Sequence, residues 1–200
     1  MKILFFIIVS FAFLLTGCSN DSTSTQNNYN TQKLSSLTNE NKSEKSNESK
    51  EDPLAFFSTK ISQKDPDRQT NITLTCNSLN GCIVKAGETF SFCNILGPAK
   101  PEDGYKKADT FDADGNTIQA YGGGKCQVST TLYNAVLNCS GLTVIERHEH
   151  SGPVYYVEEG MDACISYGSC DFKFRNDNDF DIKLYFYNTP DNIDVTIVKI

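Results

Sequence analysis

The chain has no tryptophan, and aromatic-basic interleaving is confined to a few residues. That removes the stacking platforms that hold oligonucleotides and the comparable aromatic platforms for starch. Positive charge is also short: 18 lysines and arginines stand against 25 acids, for a net charge of −7. No basic stripe is available to neutralise phosphates, so nucleic acid is not an expected partner. Long apolar runs are nearly missing. The one present, residues 3–15 after Met1 and Lys2, is too short to cross a bilayer as a mature helix. Histidine is confined to His148 and His150.

The apolar run ends in Leu15-Thr16-Gly17-Cys18, which resembles the lipobox of bacterial lipoproteins. Residues 1–18 are therefore expected to be a lipoprotein signal peptide, with Cys18 carrying the lipid; an uncleaved anchor is the alternative. Residues 19–52 are Ser, Thr, Asn, Gln, Lys and Glu with few apolar groups. Such a stretch buries too little surface to offset chain entropy and reads as a flexible tether. One folded domain, residues 53–200, follows. It is expected outside the cytoplasm, held to the cell membrane by lipid and facing the wall.

Of the eight cysteines, Cys18 is assigned to lipid and Cys126 to chemistry. Cys76, Cys82, Cys93, Cys139, Cys164 and Cys170 allow up to three disulfides, whose pairing is not legible from sequence. Their spacings do not match a compact disulfide scaffold, so mostly reduced thiols are expected.

The folded part is organised around Tyr121-Gly122-Gly123-Gly124-Lys125-Cys126-Gln127 and the helical pattern that follows through Leu132 and Val136 to Gly141. Cys126 then falls in the first helical turn, where free amides and the helix dipole favour a thiolate. Residues 142–150 have strand character, which would put His148 and His150 on one face and Arg147 and Glu149 on the other. Asp162 is a candidate to orient a histidine, or else a turn residue. Three glycines are costly unless backbone must approach something. In thiol acyl transfer that something is the substrate carbonyl, so Gly122, Gly123, Gly124 and the amides of Cys126 and Gln127 are oxyanion candidates. Tyr121, Ser129 and Arg147 are further candidates for substrate contact. The plain alternative for Cys126 is a buried structural thiol.

Elsewhere a helix is predicted over residues 71–79, strands over 82–85 and 89–92, and a hairpin joining 107–111 to 117–120 across Asp112-Ala113-Asp114-Gly115-Asn116. Later strands are predicted over 154–157, 163–167, 171–175, 182–187 and 193–200. The class is α+β, a mixed or antiparallel sheet on one main helix with the cysteine at its N-terminus. The acidic hairpin turn is not a calcium loop, because Tyr121 falls where the bidentate acid belongs. Gly124-Lys125-Cys126 is not a phosphate loop, because Gln119 occupies the upstream glycine position. Cys126, His148 and His150 remain a possible zinc set.

The run from Gly122 to Ala135 resembles the signature of the VanW-like family, as do Glu146-Arg147-His148-Glu149-His150-Ser151, Pro153-Val154-Tyr155-Tyr156-Val157 and Gly160-Met161-Asp162-Ala163. Gly87-Glu88-Thr89-Phe90-Ser91-Phe92, Gly97-Pro98 and Gly104-Tyr105 are similar too, so the likeness covers about residues 70–200. Ala86, Cys93 and Lys125 depart from the family pattern. Some members are cysteine L,D-transpeptidases of the cell wall. The resemblance implies Cys126 as nucleophile of such an enzyme; on that reading peptidoglycan stem peptides are the expected substrates, His150 (or His148) the proton shuttle, Asp162 or a backbone carbonyl its orienter, and no metal or organic cofactor is expected. A monomer is expected. The alternatives are a non-catalytic module that binds wall peptide or glycopeptide, and a zinc-dependent wall peptidase.

Overall fold

The computed structural model describes residues 51–200. The signal peptide, Cys18 and nearly all of the tether lie outside them. The described chain is three antiparallel sheets and three helices, the α+β class expected. Strands β1 (Asp52–Lys60), β2 (Ile83–Val84), β8 (Ile182–Asn188) and β9 (Asn192–Lys199) form a sheet in the order β1-β9-β8-β2. Alternation fixes its inner face: Ile182, Leu184 and Phe186 of β8 and Ile193, Val195 and Ile197 of β9 are buried.

Helices α1 (Pro66–Leu79) and α3 (Lys125–Leu137) pack on one another and on this sheet, α1 against β8 and α3 against β1 and β9. Ile72, Cys76 and Leu79 meet Val128, Leu132, Ala135 and Val136 in the core. α1 starts five residues before the predicted helix. Asp65 caps it by accepting the Arg68 N–H, and Pro66 sits at its first position. The short α2 (Phe92–Leu96) was not foreseen; Ser91 caps it. Among the described residues no helix is long and apolar enough to cross a membrane. All seven described cysteines are free, as expected.

A second sheet orders β3 (Thr89–Ser91), β7 (Lys173–Asn176) and β6 (Leu142–Glu146) as β3-β7-β6. β4 (Lys107–Phe111) and β5 (Thr117–Tyr121) make the predicted hairpin. Its turn closes on Asp112, whose carboxylate accepts the Asp114 and Asn116 amides. The strands predicted at 154–157 and 163–167 are absent, apart from one bridge between Ser166 and Cys170.

Candidate active site

β6 ends at Glu146, short of the predicted 150, because β7 begins at Lys173 and offers no further partner. The histidines therefore do not share a strand face. His148 Nε2 lies 2.9 Å from Glu146 Oε1, with a side chain 41% exposed. His150 turns inward, with a side chain only 7% exposed. Its Nδ1 is 2.5 Å from Asp162 Oδ2, which also accepts the His150 N–H at 2.7 Å. With Nδ1 committed to the carboxylate, Nε2 is the nitrogen left for the thiol.

Cys126 sits in the first turn of α3, after Gly124 with φ 109°. Its Sγ, a ring nitrogen of His150 and Cys164 Sγ lie within 4.8 Å of one another, and the Ile165 N–H points at the sulfur at 3.5 Å. The Cys164 thiol that donates to it, and the neighbouring imidazole, hold Cys126 well below the usual cysteine range against the pull of burial. Burial opposes charge on His150, but the Cys126 sulfur and the Asp162 carboxylate outweigh it and raise its pKa. Burial likewise works against the Asp162 carboxylate, yet the hydrogen bonds from His150 leave it below the ordinary range. Cys164 goes the other way: the sulfur it donates to, and burial, keep it a thiol. Both shifts run in the direction of a thiolate beside an imidazolium.

One face of α3 holds this geometry. Ser129 Oγ donates to the Ala163 carbonyl at 2.6 Å, Thr130 Oγ1 accepts the Ala163 N–H at 3.0 Å, and Asn134 Nδ2 donates to the Met161 carbonyl at 2.8 Å. Residues 161–165 therefore lie along the helix on side-chain hydrogen bonds where a sheet ladder was predicted. Asp162 is carried into place opposite Cys126. Arg147 closes the assembly, its guanidinium bonded to the Asp162 carbonyl, to Asp162 Oδ1 at 2.8 Å and to the Gly160 carbonyl at 2.8 Å.

Several expected substrate contacts are thus structural. Ser129 and Arg147 position Asp162. The Gln127 side chain is buried, donating to Thr59 Oγ1 and the Lys60 carbonyl, and its amide is spent on Gly124 O. The Lys125 amide likewise donates to Gly122 O and the Gly122 amide to Lys106 O, whereas the amides of Gly123, Gly124 and Cys126 have no partner among the described residues. The glycines answer to the protein's own packing. A Cβ on Gly123 would meet the carbonyls of Ala108 and Asp109 at 2.7 Å, and one on Gly124 would meet Ile72 Cγ1 at 2.9 Å. Gly122, at φ 85°, would meet Ala99 Cβ at 2.7 Å. At Gly123 and Gly124 the close approach is that of β4 and α1.

Two cavities meet at the sulfur. A small one, about 130 Å³, is lined by Arg68, Thr110, Phe111, Gly124, Tyr156, Cys126 and His150 among others. A larger one, about 570 Å³, reaches Cys126 and His150 past Tyr121, Asp112, Glu149 and Cys164. Tyr121 is exposed on that rim. Sequence reasoning missed Arg68, which carries no local motif, and Cys164, counted there among the structural thiols; its spacing of two from Asp162 was the available signal. The zinc set of Cys126, His148 and His150 does not assemble, since His148 faces Glu146; the compact trio has Cys164 in its place.

The described residues thus form an α+β domain with a cysteine on a helix N-terminus and an imidazole-carboxylate pair across from it, an arrangement whose geometry is compatible with nucleophilic chemistry at sulfur. The chain belongs to the family described as VanW like protein, whose model matches residues 67–198. It is 37% identical over 123 residues to the uncharacterized protein YoaR of Bacillus subtilis, covering 62% of this chain and 40% of that one. It is 39% identical over 114 residues to the vancomycin B-type resistance protein VanW of Enterococcus faecalis, covering 54% of this chain and 41% of that one. The matched part spans about two fifths of these relatives' length. No solved structure matches.

Proposed function

We propose that the domain acts on the cell wall as a peptidoglycan L,D-transpeptidase. The cell-wall setting follows the resistance-protein relative and the family; the chemistry follows the Cys126–His150–Asp162 line, the observation that carries the proposal. The Cys126 thiolate attacks the carbonyl of the third, diamino acid residue of a tetrapeptide stem, and the Cys126 amide receives the oxyanion. The C–N bond to the terminal D-alanine breaks. His150 gives its proton to the departing amine and a thioester remains on the sulfur. The side-chain amine of a second stem then attacks; His150 takes its proton, the thioester C–S bond breaks and the thiolate returns. Asp162 keeps the imidazole in one tautomer through both halves.

Two cavities opening on one sulfur favour transfer between two peptides over hydrolysis. Asp112 and Glu149, on the wall of the larger one, suit a cationic amine acceptor. Stem peptide is the partner on both sides. The lipid anchor at Cys18 would hold the domain at the membrane surface, and no second copy of the chain is needed.

Intact-mass measurement of the domain incubated with tetrapeptide stem tests this. The expected product is an adduct on Cys126 equal to the stem less one alanine, absent in Cys126→Ala. Wall affinity unchanged in that variant, with no adduct on the parent, would leave a binding module instead. A second reading has one observation in its favour, the three ligand atoms of Cys126, His150 and Cys164 within 4.8 Å. Stoichiometric zinc in the purified protein would replace the thiolate mechanism with a metal-dependent one.

A further inference from the structure

Arg68, on α1, is a buried cation without a paired carboxylate. It is 8% exposed, and its Nε has no hydrogen-bond partner. Nη2 reaches the neutral Gln127 Oε1 at 3.2 Å, and Nη1 only the Asp109 carbonyl at 3.5 Å. Among the described residues no carboxylate pairs with it; burial works against its charge, and Tyr156, the Cys126 sulfur, Asp109 and Asp65 act on it only at a distance. Taking a charge out of water without a partner is expensive, and a guanidinium offers a planar fork that matches a carboxylate. Arg68 lines the same small cavity as Cys126 and His150.

We propose that Arg68 is the subsite for the free C-terminal carboxylate of the peptide acyl donor. This rests on the acyl-transfer reading and deepens it by naming what the donor must carry. At about 130 Å³ the cavity is small beside the ~300–1,000 Å³ of pockets that take whole ligands. It suits one terminal residue. A terminal carboxylate sits one residue beyond the bond the thiolate breaks, so sulfur and guanidinium on one wall select a peptide that ends there. Phe111 and Thr110, which line the same cavity, are neutral, so apart from His150 beside the sulfur the guanidinium is the cation there. Gly124 leaves room for the arginine itself, since a Cβ there would press on Arg68 Cγ at 3.2 Å.

The test is binding of two probes to the Cys126→Ala domain by calorimetry: the tetrapeptide ending in D-alanine, and the same peptide as its C-terminal amide. The free acid is expected to bind at least about tenfold tighter, and the ratio to fall to near one when Arg68→Gln is added. Arg68→Lys, which keeps charge but loses the fork, is expected to restore part of the preference. A peptide amidated only on the side carboxyl of its diamino acid residue should bind like the parent, which separates that carboxylate from the terminal one. Equal binding of acid and amide, binding of neither to folded protein, or preference for the acid surviving Arg68→Gln would each overturn the assignment. If Arg68→Gln does not fold, acid against amide on the arginine-bearing protein still decides. Adduct formation on Cys126 with no acid preference would sink the arginine subsite and leave the transferase. Acid preference without any adduct would do the reverse.

Discussion

Asp162 sits between two cationic side chains, one oxygen 2.5 Å from His150 Nδ1 and the other 2.8 Å from Arg147 Nη2. The carboxylate therefore orients the imidazole while Arg147 orients the carboxylate. Asp162→Asn keeps the shape but removes the charge that supports the imidazolium. Adduct formation on Cys126 is expected to slow by about 10²–10⁴. The thiolate should also become harder to form, so the acid limb of a Cys126 alkylation profile moves to higher pH. Unchanged kinetics would show that Asp162 serves only the fold.

The pH dependence has a sign that can be worked out. The Cys126 pKa lies below the ordinary cysteine value and that of His150 above the ordinary histidine value. The ion pair is present between them: it is lost on the acid side as the sulfur takes a proton, and on the alkaline side as the imidazole gives one up. Iodoacetamide should modify Cys126 well below pH ~8.5, where a free thiol is already slow. His150→Ala should return alkylation to the ordinary range. His148→Ala should leave it untouched, since that ring faces Glu146. Matching effects of the two would mean the wrong histidine has been chosen.

Ser129 Oγ is buried and donates to the Ala163 carbonyl. Ser129→Ala leaves that carbonyl without its side-chain donor, at a cost of about 1–3 kcal/mol in denaturant unfolding. Because Ala163 adjoins Asp162, activity should fall more than stability alone explains. Loss of stability with normal adduct formation would separate the helix face from the site.

Gly123→Ala places a methyl 2.7 Å from two backbone carbonyls of β4, which a side-chain rotation cannot relieve. It is expected to lower stability by about 1–3 kcal/mol and to displace Cys126, read as lower melting temperature and slower alkylation. Gly160→Ala has open space at its Cβ and only its φ of 80° against it, so it should cost less. Equal costs would mean that the contact at Gly123 is relieved by backbone movement.

The hairpin at Asp112 was legible because turn chemistry is local, and the last two strands because their alternation is unbroken. The helix start at Gly124 was legible for the same reason. The strands predicted at 154–157 and 163–167 failed on a non-local fact. Their β-prone residues find no sheet edge, and the backbone of 161–165 bonds instead to Ser129, Thr130 and Asn134. A capped α1 was readable at Asp65-Pro66, yet its start was placed too late, on the apolar pattern alone.

By itself the sequence singled out the candidate nucleophile: a cysteine after glycines at a helix start is favoured as a thiolate by local amides and dipole, whatever the rest of the fold does. It also limited the imidazole to two positions. Which of them serves, and what the glycines, Ser129 and Arg147 are for, was decided by tertiary structure. A strand ends where its partner ends, and only then does His150 turn inward while His148 stays with Glu146. Arg68 and Cys164 belong to the site for the same reason. Their nearness to Cys126 comes from packing α1 and residues 161–165 against α3, a relation between segments far apart in the chain that no local pattern encodes.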